Sequence, residues 1–207
     1  MPELILSRVM DLGDKALFGE LAEIHRNEIH EGFLSTLGAT FLAGLYESLA
    51  VSDDSFLIVA RQSGGVVGFI VGAMDTGSVY KQVMKRSGVR SFLTLLPKLF
   101  SIKRLKRIAE TLLYPNKKKD DDLPEPEILN FCVRSEAQGT GVGSALFGAL
   151  CDEFRKRGVS EIRIVTGETQ KSAQVFYERR GARLAAQFEL HKDTSSRVYV
   201  FTIPEPT

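Results

Sequence analysis

Three glycines at alternate positions precede a helical pattern in the stretch SEAQGTGVGSALFGAL, residues 135–150. They are Gly139, Gly141 and Gly143. The N-terminus of a helix offers unpaired backbone N–H groups and a partial positive charge, and a bound anion satisfies both. Glycine lets the backbone approach an anion because it has no Cβ. The stretch therefore predicts a pyrophosphate cradle over residues 138–144. The glycines alone leave a plain strand-to-helix turn open as the alternative.

Spacing tests the common kinds of phosphate loop. A Walker-type loop needs a lysine and then Ser or Thr after its last glycine, but Ser144 follows Gly143 with no lysine nearby. A dinucleotide fingerprint, G-x-G-x-x-G, that starts at Gly139 fails at its third glycine, where Ser144 stands. A third spacing is met: Gln138 begins a Q-x-x-G-x-G pattern directly after an apolar run that ends in Val133.

A second motif lies in the stretch QKSAQVFYERRGA, residues 170–182. The two stretches together resemble the GNAT superfamily of N-acetyltransferases. The first is similar to the coenzyme A pyrophosphate loop of that family, and the second to its N-x-x-A-x-x-F-Y-x-x-x-G-F signature. Four residues fit the second signature in register: Ala173, Phe176, Tyr177 and Gly181. Gln170 stands in place of the usual Asn, and Ala182 in place of the usual Phe.

The resemblance implies a cofactor and the residues that bind it. The run EILNFCV, residues 127–133, looks like the central strand, whose backbone holds the acetyl amide and the pantetheine arm in this family. Acetyl-CoA is then the co-substrate. The implied cofactor-binding residues are Phe131, Cys132, Val133, Gln138, Gly139, Thr140, Gly141, Val142, Gly143, Ser144, Gln170, Ala173, Phe176 and Tyr177. The resemblance covers most of the chain except about residues 80–126.

The implied reaction is acetyl transfer from acetyl-CoA to an amine, and it needs three groups. A backbone N–H near Cys132 and Val133 is the candidate hydrogen-bond donor to the oxyanion that develops on the thioester carbonyl. Tyr177, at the matching family position, is the candidate general acid for the departing thiolate; the alternative is a tyrosine that only packs its helix on the sheet. Glu127 is one candidate base, and a solvated carboxylate in an acidic loop is the alternative.

His25 and His30 fall in the region that lines the acceptor site in this family, so both are candidate substrate residues. A histidine such as His25, one residue after the apolar Ile24, is more often a residue at the edge of the core. Cys132 lies in an apolar run without a nearby histidine, which favours a small buried side chain over a nucleophile. No spacing among the histidines, cysteines and acids predicts a metal site.

The elements that must position these residues follow from hydrophobic periodicity. Residues 4–10 predict an edge strand, two amphipathic helices follow, and a Gly-Gly turn joins two β-rich runs into a hairpin. The sum is β-α-α-β-β, an insertion, and then β-α-β-α-β-β. This order predicts an α/β (α+β) fold of the GNAT kind: a mixed, twisted sheet flanked by helices, with a helical insertion before the central strand. Residues 1–207 form a single domain in this interpretation.

The insertion, residues 80–126, combines a basic helical part with an acidic, proline-rich loop. Residues 80–119 hold twelve Lys or Arg and one acid, Glu110. Three interpretations stay open: a cap that attracts an anionic substrate, a segment that contacts an anionic membrane surface, and a solvated helical pair or dimer contact. Nucleic-acid binding is disfavoured, because aromatic residues are few and no binding motif is present.

Composition is that of a soluble globular protein: 207 residues, 43% apolar, 26% charged, with a formal net charge of +1. Two cysteines without a disulfide framework favour a reducing, cytoplasmic location, and the N-terminus has no signal-peptide pattern. The sequence therefore predicts a cytoplasmic N-acetyltransferase whose acceptor is a small amine, with an anionic one such as an amino sugar as one option. Alternatives are transfer of a longer acyl group, protein N-terminal or lysyl acceptors, and a non-catalytic acyl-CoA-binding or regulatory module.

Overall fold

A seven-stranded mixed sheet organises the part of the chain that the computed structural model describes, residues 2–29, 34–83, 123–191 and 194–205. The strands are β1 Ile5–Val9, β2 Ser55–Gln62, β3 Gly65–Ala73, β4 Glu127–Val133, β5 Glu161–Gly167, β6 Arg183–His191 and β7 Thr194–Thr202. The helices are α1 Lys15–Glu28, α2 Ala39–Ala50, α3 at residues 76–83, α4 Val142–Arg155 and α5 Lys171–Glu178.

The predicted order of elements is confirmed on both sides of the insertion. The sheet runs β1-β2-β3-β4-β5-β7-β6, with β4 and β5 parallel and every other neighbouring pair antiparallel. This confirms the α/β fold class, and β1 lies at the sheet edge as expected. Helix α3 begins just before the insertion, and residues 84–122 of the insertion lie outside the described residues.

Helices cover the two faces of the sheet and enclose two cores. On one face, α1 and α2 bury Phe18 and Tyr46 against Phe69 of β3. On the other face, α4 packs Phe154 against Phe56 of β2, edge to face, with ring centroids 4.8 Å apart. The apolar residues that recur at helical spacing along α1, namely Leu17, Phe18, Leu21 and Ile24, are all buried.

A β-bulge in β4 opens the middle of the sheet. Val71 of β3 pairs with Asn130, but the next residue, Gly72, pairs with Ile128. Leu129 is therefore an extra residue in β4, and such a bulge bends its strand and increases the local twist.

Strand β4 pairs with β5 only through its first two residues, as Glu127 with Arg163 and Ile128 with Ile164. Beyond the bulge the two strands have no further paired residues among the described positions. On its β5 side, the backbone from residue 129 to Val133 consequently faces an opening, while its other side pairs with β3 from Asn130 onward. The candidate site lies in this opening.

Candidate active site

The loop between β4 and α4 is shaped by two glycines with left-handed backbone. Gly139 has φ +76° and Gly141 has φ +96°, a region that residues with a Cβ rarely adopt. Gly141 is also the N-cap of α4. A Cβ at either position would meet nothing within 4 Å, so both glycines border open space. The conformation of the turn explains these two glycines without any ligand.

Gly143 requires a different explanation, because it lies inside the first turn of α4 with ordinary helical backbone. A Cβ there would lie 3.5 Å from Phe131 Cζ and 3.5 Å from Phe176 Cε2, which is normal van der Waals contact. The fold by itself therefore accepts alanine at this position. A bare backbone at Gly143 keeps the helix N-terminus accessible from the groove that it lines.

A groove of about 530 Å³ runs along this loop between α4 and α5. Its lining includes ten of the predicted cofactor residues: Phe131, Val133, Gln138, Gly139, Gly141, Gly143, Ser144, Ala173, Phe176 and Tyr177. Arg179 and Arg180 also line it, and its described lining contains no Asp or Glu. The groove thus combines a helix N-terminus with two cations, a setting suited to an anionic ligand.

Arg180 is the groove residue that the sequence analysis missed most clearly. Its guanidinium lies 3.5 Å from the centroid of the Phe176 ring, and it donates hydrogen bonds to Ser144 Oγ at 2.5 Å and to Phe176 O at 2.9 Å. These contacts hold a positive charge beside the first turn of α4. The only sequence signal was the pair of arginines just before Gly181 in the second motif.

A chamber of about 500 Å³ occupies the opening between β4 and β5. It shares six residues with the groove, so the two cavities adjoin and form one continuous cleft: Phe131, Val133, Gln138, Ser172, Ala173 and Tyr177. Predicted cofactor residues Cys132 and Gln170 line the chamber. Gln170 Oε1 accepts a hydrogen bond from Gly167 N at 2.9 Å, which ties its amide to the end of β5.

Two predicted cofactor residues are not among the described lining of the cleft. Val142 is buried beneath the loop, where it joins the core on the α4 face. The Thr140 hydroxyl donates a hydrogen bond to Ala137 O at 2.7 Å, within the loop itself.

Tyr177 lines both parts of the cleft and lies where they meet. Its side chain is buried, and burial raises the pKa of its phenol well above the usual 10, with the nearby Cys132 adding to the effect. The phenol therefore keeps its proton at neutral pH. A protonated hydroxyl at this junction can donate a proton to a group that crosses from groove to chamber.

Glu127 lies at the opposite end of β4 from the glycine loop. Its carboxylate accepts hydrogen bonds from Arg163 Nη2 at 2.5 Å, from Arg163 Nε at 3.0 Å and from the Thr76 hydroxyl at 3.2 Å. Burial raises the pKa of this carboxyl, while Arg163 and Thr76 oppose the rise. Glu127 is buried rather than solvated, and it is not among the described residues that line the cleft.

His25 lines the chamber from α1 but is 1% exposed. Its Nδ1 atom lies 2.5 Å from the Tyr46 hydroxyl, and its buried Nε2 atom has no hydrogen-bond partner. Burial lowers the pKa of this imidazole to about 4, so the ring is neutral at pH 7. His30, the other candidate substrate residue, lies outside the described residues. Cys132 is buried and its thiol pKa is raised by burial, as expected for a packing residue.

Glu28, at the end of α1, is the only Asp, Glu, Lys or Arg in the described lining of the chamber. Its carboxylate accepts hydrogen bonds from Ser135 N at 3.0 Å, Ser135 Oγ at 2.8 Å and Gln138 Nε2 at 3.4 Å. Gln138 Nε2 also donates to Val133 O at 3.0 Å. The sequence signal for Glu28 was its position three residues after His25, which places both on one helix face.

A family model agrees with this geometry. The model described as the acetyltransferase (GNAT) family matches residues 20–182, which includes both motifs and the strands around the cleft. The chain belongs to the GNAT family. GNAT proteins are acetyltransferases that use acetyl-CoA, and the resemblance that the two motifs carry is thereby confirmed.

Solved GNAT structures share the fold over nearly the whole chain. An acetyltransferase of the GNAT family from Desulfovibrio desulfuricans superposes with TM-score 0.62 and 13% identity, over 98% of this chain and 100% of that one. The ribosomal-protein-S18-alanine N-acetyltransferase from Escherichia coli gives 0.59 and 14%, over 99% and 97%. An aminoglycoside 6'-N-acetyltransferase complexed with coenzyme A gives 0.58 and 15%, over 98% and 99%. No curated protein matches the sequence significantly.

Two further observations concern the described residues alone. No group of three or more His, Cys, Asp or Glu side chains is arranged there to hold a metal ion. No helix in the described ranges is long and apolar enough to span a bilayer.

Proposed function

We propose that this GNAT acetyltransferase moves the acetyl group of acetyl-CoA to a primary amine that enters the chamber between β4 and β5. The observation that carries the proposal is the charge pattern of one continuous cleft. The groove end holds two arginines and no acid, and the chamber end holds one carboxylate, Glu28, and no Lys or Arg among the described residues. An anionic co-substrate and a cationic acceptor can thus approach the same junction from opposite ends.

The groove residues bind and orient the co-substrate. Backbone N–H groups at the start of α4 and the Arg180 guanidinium receive the diphosphate, and glycine at position 143 keeps that backbone accessible. The unpaired edge of β4 past Leu129 offers backbone groups to the amides of the pantetheine arm. A backbone N–H near Cys132 and Val133 is the donor that we assign to the developing oxyanion.

Tyr177 is the general acid in this proposal. The neutral amine nitrogen attacks the thioester carbonyl carbon, and the nitrogen–carbon bond of the new amide forms as the carbon–sulfur bond breaks. The departing thiolate takes the phenol proton, and the proton that the nitrogen loses passes to solvent, which reprotonates the phenolate. The position of Tyr177 at the junction of groove and chamber supports this role.

The structural setting of Glu127 differs from that of a residue that contacts the acceptor amine. Glu127 was predicted as the base, and its buried ion pair with Arg163 at the paired end of β4 and β5 favours a structural role instead. The chamber lining supports a cationic acceptor over the anionic amino sugar that the basic insertion suggested. Most of that insertion lies outside the described residues, so the cap, membrane and dimer interpretations stay as predictions.

The proposal is tested by mixing the purified chain with acetyl-CoA and a panel of amines while free thiol is followed colorimetrically. We expect amine-dependent thiol release and an acetylated amine of the expected mass. Tight acetyl-CoA binding without thiol release for any amine would contradict the proposal. Thiol release without an acetylated amine would show hydrolysis instead.

A further inference from the structure

The α1 wall of the chamber carries two polar side chains on one helix face. His25 and Glu28 are three residues apart, which places their Cβ atoms about 5–6 Å from each other. Both line the chamber, next to the part of β4 that does not pair with β5. Asn130 of β4 pairs with Val71, which belongs to the core on the α1 face, so Asn130 faces the same wall.

The hydrogen bond between His25 and Tyr46 determines which ring nitrogen of His25 carries the proton. If the Tyr46 hydroxyl donates to Nδ1, both of those atoms are satisfied and Nε2 carries the ring proton. The reverse arrangement leaves the phenol hydrogen and the Nε2 lone pair without partners in a buried site, which costs more. His25 therefore presents a buried N–H donor, and that donor has no partner.

Glu28 supplies a fixed negative charge on the same helix face, three residues after His25. The two N–H groups and the hydroxyl that it contacts come from Ser135 and Gln138, and they hold the carboxylate in place. A carboxylate has about four lone-pair sites, so it can accept a further hydrogen bond from a ligand ammonium.

We propose that the acceptor is an α-amino carbonyl compound, such as the N-terminal residue of a peptide or an amino-acid amide. Glu28 accepts a hydrogen bond from its amino group, whose ammonium proton passes to solvent before the nitrogen attacks, and the Nε2–H of His25 donates to its carbonyl oxygen. In such a group the nitrogen and the oxygen are separated by two carbon atoms, which suits two side chains one helical turn apart. This inference rests on the proposed acetyl transfer and narrows its acceptor.

Other classes of amine pair less completely with the His25 donor and the Glu28 carboxylate. A lysyl ε-amine has no oxygen close to its nitrogen, so the His25 donor would stay unpaired. An amino sugar phosphate would bring a second anion toward Glu28 with no Lys or Arg in the described lining to pair with it. A free amino acid has the same difficulty at its carboxylate.

The experiment compares L-alaninamide with sec-butylamine, which has a similar shape and lacks the carbonyl. The full chain with saturating acetyl-CoA is assayed for thiol release at equal concentrations of deprotonated amine. We expect kcat/KM to be about tenfold or more higher for L-alaninamide, because only its carbonyl oxygen gives the buried donor a partner. N-acetyl-lysine amide and glucosamine 6-phosphate should resemble sec-butylamine or be worse.

Two variants test the donor itself. His25→Leu should bring the ratio of the two kcat/KM values to about one. Because His25 is buried, this substitution can also disturb folding, so Tyr46→Phe, which keeps the packing, serves as a second variant. It removes the hydroxyl that fixes the ring proton on Nε2, and the ratio should fall several-fold. Tyr199→Phe is the matched control, since Tyr199 is equally buried in the core on the opposite face, where it donates to Glu178.

Glu28→Gln should raise KM for every amine, whereas Glu23→Gln at an exposed position of the same helix should not. Equal kcat/KM for L-alaninamide and sec-butylamine would overturn the inference, as would a ratio that His25→Leu and Tyr46→Phe leave unchanged. Both results would leave acetyl transfer intact. Absence of thiol release with every amine would overturn the proposed function and this inference with it.

Discussion

The variant Gly143→Ala tests whether glycine at position 143 is required for folding or for coenzyme A binding. The backbone of Gly143 is helical, and a methyl group there would lie 3.5 Å from Phe131 and Phe176, an ordinary contact. Alanine exceeds glycine in helix propensity by up to about 1 kcal/mol, so the variant should be as stable as the parent or slightly more so. For a chain of this size, 1 kcal/mol corresponds to a rise in Tm of about 2–4 °C.

The same methyl group should weaken coenzyme A binding. It would stand at the start of α4, where the diphosphate is proposed to meet backbone N–H groups. Losing one hydrogen bond to a charged group costs about 1.5–3 kcal/mol, which corresponds to a rise in Kd of roughly tenfold or more. Gly141→Ala is the contrasting variant: φ is +96° there, so stability should fall by about 1–2 kcal/mol as well.

Calorimetric titration with coenzyme A and thermal unfolding of the same preparations measure both effects. The expected pattern is an unchanged or higher Tm for Gly143→Ala with a clearly higher Kd. A stable Gly143→Ala protein with parental affinity would refute the claim that this glycine leaves room for the diphosphate. A destabilised protein would refute the packing argument.

Four further predictions follow from the site. Tyr177→Phe should lower kcat about a hundredfold at unchanged affinity for acetyl-CoA, because a proton donor is lost and little packing changes; parental kcat would remove Tyr177 from the chemistry. Glu127→Gln should lower the free energy of unfolding by about 2–4 kcal/mol, since Arg163 loses its buried counter-charge, and should keep the kcat of the folded enzyme. Loss of kcat together with the acidic limb of the pH profile would instead support Glu127 as the base. His25 has a folded-state pKa of about 4 against 6.5 in the unfolded chain, so protonation favours unfolding as pH falls from 6.5 to 4. The contribution of neutral His25 to the free energy of unfolding, at most about 3 kcal/mol, should be lost over that range. Denaturant unfolding should therefore show a flatter pH dependence for His25→Leu than for the parent, and parallel curves for the two proteins would contradict this prediction. Deleting residues 81–119 with a short linker should change acceptor preference or liposome sedimentation if the insertion is functional, and identical behaviour would indicate a solvated or dimer-forming segment.

Local patterns predicted the parts of the molecule that depend on neighbouring residues. Helix α1, the β2–β3 hairpin and the order of elements follow from hydrophobic periodicity and glycine turns. The positive φ angles of Gly139 and Gly141 agree with a tight loop before α4. Both motifs border one cleft because the fold brings α4 and α5 to the same opening.

Features that depend on strand register and on long-range contacts could not be predicted from the sequence. The bulge at Leu129 exists only in the pairing between β3 and β4, and no residue type marks it. Tyr46 contacts His25 from another helix, 21 positions further along the chain. Glu127 looked like part of an acidic loop, but its partner Arg163 lies one strand away. Strand β7 lies between β5 and β6, an order that hairpin composition does not reveal.

The most direct test of the account is a calorimetric comparison of coenzyme A with pantetheine on the full chain. Pantetheine carries the same thiol and amides but lacks the diphosphate and the nucleotide. If the glycine loop and Arg180 hold the diphosphate, coenzyme A should bind with measurable heat, and pantetheine should bind more weakly by about a hundredfold or more. Equal affinity for both compounds, or no heat with coenzyme A at millimolar concentration, would contradict the account.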